Sequence, residues 1–152
     1  MRVINGLEEL EALAGAELGA SGWLQVTQEM VDQFAAVTRD HQWIHTDVQR
    51  ATEHSPFGGT VAHGFLTLSL IPHLTHQIAD VTGVSARINY GLERVRFPHP
   101  VRVGSNVRAV QRLLSTKRID ANSLRLVSRV VVEIEGVDKP ACVAETVTLV
   151  YG

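Results

Sequence analysis

Cysteine is almost absent from this chain, since Cys142 is the single one among 152 residues. That excludes an internal disulfide and a cysteine-rich metal cluster. Cys142 stands in a valine-rich run, which favours packing over nucleophilic chemistry. No stretch reaches the roughly 18 consecutive apolar residues of a membrane helix, and the N-terminus lacks the apolar segment of a secretion signal. We therefore expect a single cytoplasmic domain over residues 1–152, with no membrane partner.

The formal net charge is only −2, but the charged residues are unevenly distributed along the chain. Residues 1–80 hold ten acidic residues against three arginines, whereas residues 81–129 hold ten basic residues against two acidic ones. A basic middle in a mildly acidic protein suits a phosphate-bearing small molecule better than a nucleic acid. The alternative is that these arginines lie on solvated strand faces, and on charge alone it carries more weight.

The first half of the chain is typical of helices. Thr27 is a predicted N-cap, and apolar spacing then predicts a helix over 28–38. Thr46 and Gln49 resemble a capping box that opens a short helix over 47–53. From Gly64 to about Asp80 the chain predicts one long helix, kinked at Pro72. Its first half is apolar nearly all round, which is typical of a helix enclosed by other structure.

The second half of the chain alternates with period two. Four runs show this pattern: Ile88 to Phe97 with a local irregularity, Val107 to Leu113, Leu124 to Val132, and Cys142 to Val150. Short turns between them predict antiparallel pairing. The sequence therefore predicts an α+β fold in which an antiparallel sheet wraps around a central helix.

Histidine is the chemically informative residue, because six of the seven lie between positions 41 and 76. Asp40 and His45, just beyond the first predicted helix, could bind and activate one water, since a carboxylate and an imidazole exchange protons near neutral pH. Further on, Ala62-His63-Gly64 opens the long helix. A glycine there exposes backbone N–H groups that can stabilise an oxyanion.

Each of these features also has a purely structural interpretation. Asp40 and His45 could be a turn residue and a surface histidine. His63 could shape the turn, Gly64 could serve close packing, and Ser69 could bond a carbonyl of its own helix. The histidine pairs at positions 73 and 76 and at 41 and 45 have metal-ligand spacing, but no cysteine or paired carboxylate completes a site, so no metal is expected.

Together these motifs resemble the MaoC-like (R)-specific enoyl-CoA hydratases. Asp40-x4-His45, with Asp47 and Ala51 after it, is similar to that family's hydratase motif. Ala62-His63-Gly64-Phe65 with Ser69, and the segment from Arg96 to Gly104, fit the rest of the pattern. The variant Asp-His-Gln-Trp-Ile-His and the Asn89-Tyr90-Gly91 element resemble an actinobacterial and nodulation-protein-N-like subgroup. The resemblance spans about residues 20–150 and implies a hot-dog fold.

The resemblance implies specific roles. Asp40 and His45 would activate the water that adds to a trans-2-enoyl-CoA, giving an (R)-3-hydroxyacyl-CoA, and Gly64 N–H would polarise the thioester carbonyl. The remaining substrate-binding candidates are Gln42, Trp43, His63, Ser69 and Tyr90. No cofactor is implied, and the protein would be a homodimer. One or two of five arginines would meet coenzyme A phosphates: Arg87, Arg94, Arg96, Arg102 and Arg108.

The sequence departs from the family at the catalytic loop. Many members have a small residue before the aspartate and Asn-Pro after it, whereas here Arg39 precedes Asp40, and Gln42-Trp43 follow His41. The departure bears on acyl-chain preference. Three alternative functions remain open: a 3-hydroxyacyl-[acyl carrier protein] dehydratase, an acyl-CoA thioesterase, and a non-catalytic acyl-binding module. Residues 64–79 contain no acidic side chain, which weighs against the thioesterase.

Overall fold

The computed structural model describes residues 1–152 as six helices and eight strands. The helices are α1 (Gly6–Ala12), α2 (Gln28–Thr38), α3 (Trp43–Thr46), α4 (Val48–His54), α5 (Gly64–Ser69) and α6 (Ile71–His76). The strands are β1 (Arg2–Asn5), β2 (Glu17–Ala20), β3 (Leu24–Gln25), β4 (Ala79–Thr82), β5 (Ala86–Arg96), β6 (Asn106–Asp120), β7 (Ser123–Ile134) and β8 (Val137–Tyr151).

The main sheet is antiparallel, as the alternating pattern predicts. Its strand order is β2-β6-β7-β8-β5, with β3 also paired to β6. Strand β5 lies at one edge, and its pairing with β8 shifts register at Asn89/Gly91 and at Leu92/Arg94, which confirms the irregularity. Helices α5 and α6 pack against β8 and β6. The predicted α+β fold is confirmed.

Helix α2 forms where its capping signal predicts. Thr27 Oγ1 accepts a hydrogen bond from Met30 N at 3.3 Å, and Val31 and Ala35 are fully buried. The prediction of a capping box at Thr46 is wrong, however. The N-cap of α4 is Asp47, whose Oδ1 accepts from Arg50 N at 3.0 Å. Thr46 is the last residue of α3, and its Oγ1 instead donates to the backbone carbonyls of His41 and Gln42, which precede that helix.

The long central helix is shorter than predicted. It divides at Leu70 into α5 and α6, and Pro72, the position of the predicted kink, lies in the first turn of α6. The prediction of helix as far as Asp80 is wrong, because Ala79–Thr82 is strand β4 and pairs in parallel with β1. The N-terminal strand supplies that partner, and pairing to it outweighs the local helical pattern. No helix has the length and apolarity needed to cross a membrane.

Buried apolar side chains form two clusters. The larger lies between α2, α5, α6 and the sheet and includes Val31, Leu66, Leu74 and Val130. The smaller joins β1, α1 and β4 to the other end of the sheet and is centred on Ile4. Cys142 belongs to the larger cluster, and burial raises the pKa of its thiol to about 11. The thiol therefore stays protonated at neutral pH, as a packing role requires.

Candidate active site

Asp40 lies in the loop that follows α2. Arg39 ends the helix in the left-handed conformation, with φ at 62°, so the chain turns sharply before Asp40. Asp40 Oδ1 accepts a hydrogen bond of 3.4 Å from Gln42 N, closing a small side-chain turn. The side chain keeps 54% of its surface exposed. The carboxylate is therefore accessible to a ligand.

His45 is held inside the protein by α3, and only 7% of it is exposed. Its Nδ1 lies 2.6 Å from the carbonyl oxygen of Val61. A carbonyl can only accept, so Nδ1 carries the proton and Nε2 presents a lone pair. Burial lowers the pKa of His45, and nearby His63 lowers it further, against the opposing effects of the Val61 carbonyl and Asp40. His45 is thus a neutral base near pH 7.

His63 stacks on His45. The two ring centroids are 3.8 Å apart with 24° between the planes, and His63 is 3% exposed. His63 Nε2 donates to the backbone carbonyl of Asp40 at 3.0 Å, which leaves Nδ1 buried without a hydrogen-bond partner. His63 therefore connects the Asp40 loop to His45, a link that a role in shaping the turn alone would not require.

These three residues meet at one point. A carboxylate oxygen of Asp40 and one ring nitrogen from each of His45 and His63 lie within 4.8 Å of one another. Donor type and proximity would allow a metal ion. The two imidazole planes are only 24° apart and the ring centroids 3.8 Å apart, however, so an ion in the plane of one ring would lie out of the plane of the other. A carboxylate beside a neutral imidazole is instead suited to orienting and deprotonating a water.

Gln28 supports this cluster from α2. Its Nε2 donates to the backbone carbonyl of His45 at 2.7 Å, and its Oε1 accepts from Thr60 Oγ1 at 2.7 Å. One side chain thus links α2, α3 and the segment before α5. Its position in the first turn of α2 carries no sequence signal for such a bridge.

Gly64 begins α5, where backbone N–H groups have no partner within the helix. A Cβ at this position would lie 3.0 Å from Cδ2 of Phe97. The close approach of the Phe97 ring accounts for the glycine on packing grounds. Because glycine has no side chain, the backbone N–H of residue 64 is also not covered by a side chain of its own.

The other predicted site residues are more dispersed. Ser69 Oγ donates to the carbonyl of Phe65 at 2.6 Å, yet Ser69 also lines a cavity beside the helix. The guanidinium carbon of Arg50 lies over the Trp43 ring, 4.4 Å from the ring centroid. Gln42 is exposed at the start of α3, and Tyr90 is 67% exposed on β5. The structure thus joins Asp40, His45 and His63 directly. Gln42 bonds to Asp40 and His45 through its backbone, whereas Trp43, Ser69 and Tyr90 have no hydrogen bond to these three residues.

The five candidate arginines fall into two groups. Arg108 pairs with Glu133 at 2.7 Å, and Arg102 donates to the carbonyl of Gly58 at 2.8 Å. The other three, Arg87, Arg94 and Arg96, lie exposed along β5 without a carboxylate partner.

Two adjoining cavities separate the helix layer from the sheet. Their volumes are about 450 Å³ and about 240 Å³, and residues of α6 and of strands β5, β6 and β8 line both. Ser69 lies at the end nearer to α5, and Ile4 at the opposite end, beside the smaller apolar cluster. The sequence motifs do not indicate this space, because its lining comes from strands far apart in the chain.

Comparison with known proteins agrees with this geometry. Residues 9–136 match the model of the MaoC like domain. The chain is 49% identical over 147 residues to the 3-hydroxyacyl-thioester dehydratase Z of Mycobacterium tuberculosis, covering 97% of each chain. It is 42% identical to nodulation protein N of Rhizobium leguminosarum bv. viciae, covering 95% of this chain and 90% of that protein. The solved structure of the (R)-hydratase from A. caviae, 26% identical, superposes with a TM-score of 0.67 over 89% of this chain and 94% of that one.

The fold and the relatives thus define a hydro-lyase with the hot-dog fold. More specifically, the chain belongs to the MaoC-like dehydratase family, within the subgroup that contains dehydratase Z and nodulation protein N. The resemblance seen in the sequence motifs is confirmed.

Proposed function

We propose that this protein catalyses the reversible, (R)-specific hydration of a trans-2-enoyl-CoA to the (R)-3-hydroxyacyl-CoA. The proposal rests on the buried, neutral imidazole of His45, which lies within 4.8 Å of the Asp40 carboxylate. The names of the relatives supply the reaction class, since one is a 3-hydroxyacyl-thioester dehydratase and another an (R)-hydratase.

In the proposed reaction Asp40 and His45 hold one water between them. The water oxygen bonds to the β-carbon of the enoyl group as the pair accepts its proton, and the α-carbon receives a proton from the pair on the same face. The carbon–carbon double bond is consumed and no redox partner is needed. The geometry supports a coupled pair, in which the proton positions belong to both groups together.

Gly64 is the proposed oxyanion donor. Charge develops on the thioester oxygen as the enolate forms, and a fixed N–H stabilises that charge more in the transition state than in the substrate. Loss of one such donor typically costs about 2.7–4 kcal/mol of transition-state stabilisation. The four dispersed residues Gln42, Trp43, Ser69 and Tyr90 are proposed to contact bound substrate, as is His63 beside the reacting pair.

Coenzyme A is the proposed carrier. Arg94 and Arg96 are exposed arginines of the basic segment that support it, because they lack carboxylate partners and can meet phosphates. Arg87 instead hydrogen-bonds His76 and lines the smaller cavity. Acyl carrier protein is the alternative, and it would use the same site chemistry. A thioesterase would release free thiol instead.

A homodimer is proposed on the edge strand β5. Large apolar side chains there are exposed, with Tyr90 at 67% and Ile88 at 49%. Such a patch on an unpaired strand edge is typical of an interface. Sedimentation of wild type and of Ile88→Lys tests it: a dimer that becomes a monomer supports the proposal, and a monomeric wild type contradicts it.

The activity is tested by following loss of enoyl absorbance with crotonyl-CoA and a longer enoyl-CoA, with chiral analysis of the product. We expect the product to be (R)-3-hydroxyacyl-CoA. We also expect kcat to be at least about a hundredfold lower in Asp40→Asn and in His45→Gln, because positioned acids and bases typically contribute about 10²–10⁴-fold. An (S) product, or full activity in both variants, would contradict the mechanism. Release of coenzyme A without hydration would identify a thioesterase.

A further inference from the structure

A row of neutral polar side chains crosses the inner face of the main sheet. Each of four adjacent strands contributes to it: Gln111 of β6, Ser128 of β7, Thr146 and Thr148 of β8, and Asn89 of β5. The register places Ser128 opposite Thr146 and Thr148 opposite Asn89. Gln111 lies opposite Val130 and reaches Ser128 diagonally through its side chain. The row is therefore continuous across the sheet.

This row interrupts an otherwise apolar face. On β7 the inward residues on either side of Ser128 are Leu126 and Val130, and all three are buried. The larger apolar cluster lies on one side of the row and the smaller cluster on the other. Polar groups facing the interior cost free energy unless they find hydrogen-bond partners.

The row has spare hydrogen-bonding capacity. Gln111 Nε2 donates to Ser128 Oγ, and Thr146 Oγ1 donates to the Ser128 carbonyl, both at a long 3.4 Å. An amide side chain offers two N–H donors and an acceptor oxygen, so Gln111 and Asn89 retain groups for a ligand. These groups line the cavities of about 450 Å³ and about 240 Å³, together with Thr75 of α6.

The position of the row relative to the reacting centre follows from the helix. Leu70, between α5 and α6, keeps right-handed helical backbone angles. Counted at about 1.5 Å per residue, Ser69 therefore lies about 8 Å and Thr75 about 16 Å from Gly64 along these two helices. A thioester bound at Gly64 would therefore direct the far part of its acyl chain, and not the part next to the double bond, towards the row.

We propose that the cavity selects enoyl thioesters whose acyl chain carries a neutral oxygen substituent, a hydroxyl or keto group, far from the thioester. Neutral side chains that both donate and accept hydrogen bonds suit a hydroxyl or keto substituent better than they suit a carboxylate substituent. Apart from Ser128, the row lines the larger cavity, which holds no charged side chain, and Leu68, Ile71 and Val130 beside it suit the hydrocarbon portion of the chain. Arg87 and His76 line the smaller cavity only. This inference rests on the proposed hydratase activity and adds the class of acyl chain.

The test compares kcat/KM for trans-2-decenoyl-CoA and its ω-hydroxy analogue, with crotonyl-CoA as a short substrate that does not reach the row. In wild type we expect the hydroxylated chain to be favoured about tenfold, as one net hydrogen bond would give. Ser128→Ala combined with Gln111→Leu should abolish or invert that preference and leave crotonyl-CoA turnover within about twofold of wild type. Ser115→Ala, on an exposed position of β6, is the matched control and should keep the preference.

The outcomes separate the two proposals. Hydration of crotonyl-CoA with no preference for the hydroxylated chain would overturn this inference alone, as would a preference unchanged in the double variant. Absence of hydration with all three thioesters would overturn the proposed function and this inference with it. Retained crotonyl-CoA turnover in the double variant shows that it folds.

Discussion

The imidazole rings of His45 and His63 stack 3.8 Å apart, and His63 Nε2 donates to the backbone carbonyl of the residue that faces His45, Asp40. His63 therefore contacts both members of the proposed catalytic pair while its own Nδ1 has no partner. From this arrangement we expect His63 to act mainly as a positioning residue for the Asp40 loop.

Replacing His63 by phenylalanine tests this positioning. The aromatic ring preserves the stack, but the donor to Asp40 is lost and the loop can shift. We expect kcat to fall by one to two orders of magnitude, roughly the effect of a 1 Å misplacement, with little change in KM. Urea denaturation should show little loss of stability, because the variant also removes the unpaired Nδ1. A kcat equal to that of wild type would contradict the role.

Gln28 offers a second test of positioning. Gln28→Leu leaves the His45 carbonyl and Thr60 Oγ1 without their shared partner, so we expect lower kcat and a loss of about 1–3 kcal/mol in the free energy of unfolding. Gln33→Leu, on the exposed face of the same helix, is the matched control and should resemble wild type. Equal kcat in the two variants would show that the bridge does not orient His45.

The pH dependence of hydration should report His45. Burial lowers its pKa, so the neutral base persists below the ordinary imidazole value of about 6.5. We expect the acid limb of kcat/KM to have its midpoint below that pH. The limb should disappear in the residual activity of His45→Gln. A midpoint above about 6.5 would mean that His45 is not the group that must be neutral.

Stability should follow the same group. The unfolded chain binds a proton at His45 near pH 6.5, whereas the folded protein resists it, so stability decreases as pH falls below that value. Denaturant titrations between pH 7 and pH 5 measure the slope, with His45→Gln as the comparison. We expect a shallower slope in the variant, and an identical slope would contradict the direction given for the pKa.

Gly64→Ala probes the start of α5. The new Cβ would lie 3.0 Å from the Phe97 ring, so the ring or the helix start must move. We expect a loss of about 1–3 kcal/mol in stability, typical of overpacking, and a lower kcat because the N–H is displaced. Adding Phe97→Leu should restore much of the stability by making room. If the single variant is as stable as wild type, the packing argument is wrong.

Local pattern was sufficient for much of the architecture. The Thr27 cap with its apolar spacing predicted α2, and period-two alternation predicted the four long strands, because both depend on neighbours within a few residues. The chain from Asp40 to His45 is also short, so the proximity of that pair follows from sequence. The cap at Asp47 was missed because Thr46 and Asp47 are both good N-caps and only the bond to Arg50 N distinguishes them.

By itself, then, the sequence determined the helices and strands that local spacing encodes, the α+β class, and the residue types of the reacting centre. Only the tertiary structure decided that the central helix stops at His76, because the competing partner of β4 is the distant strand β1. It also decided the bridge from Gln28 to His45 and the polar row across four strands. Those contacts depend on strand register and on the way the helices pack over the sheet, which no local pattern specifies.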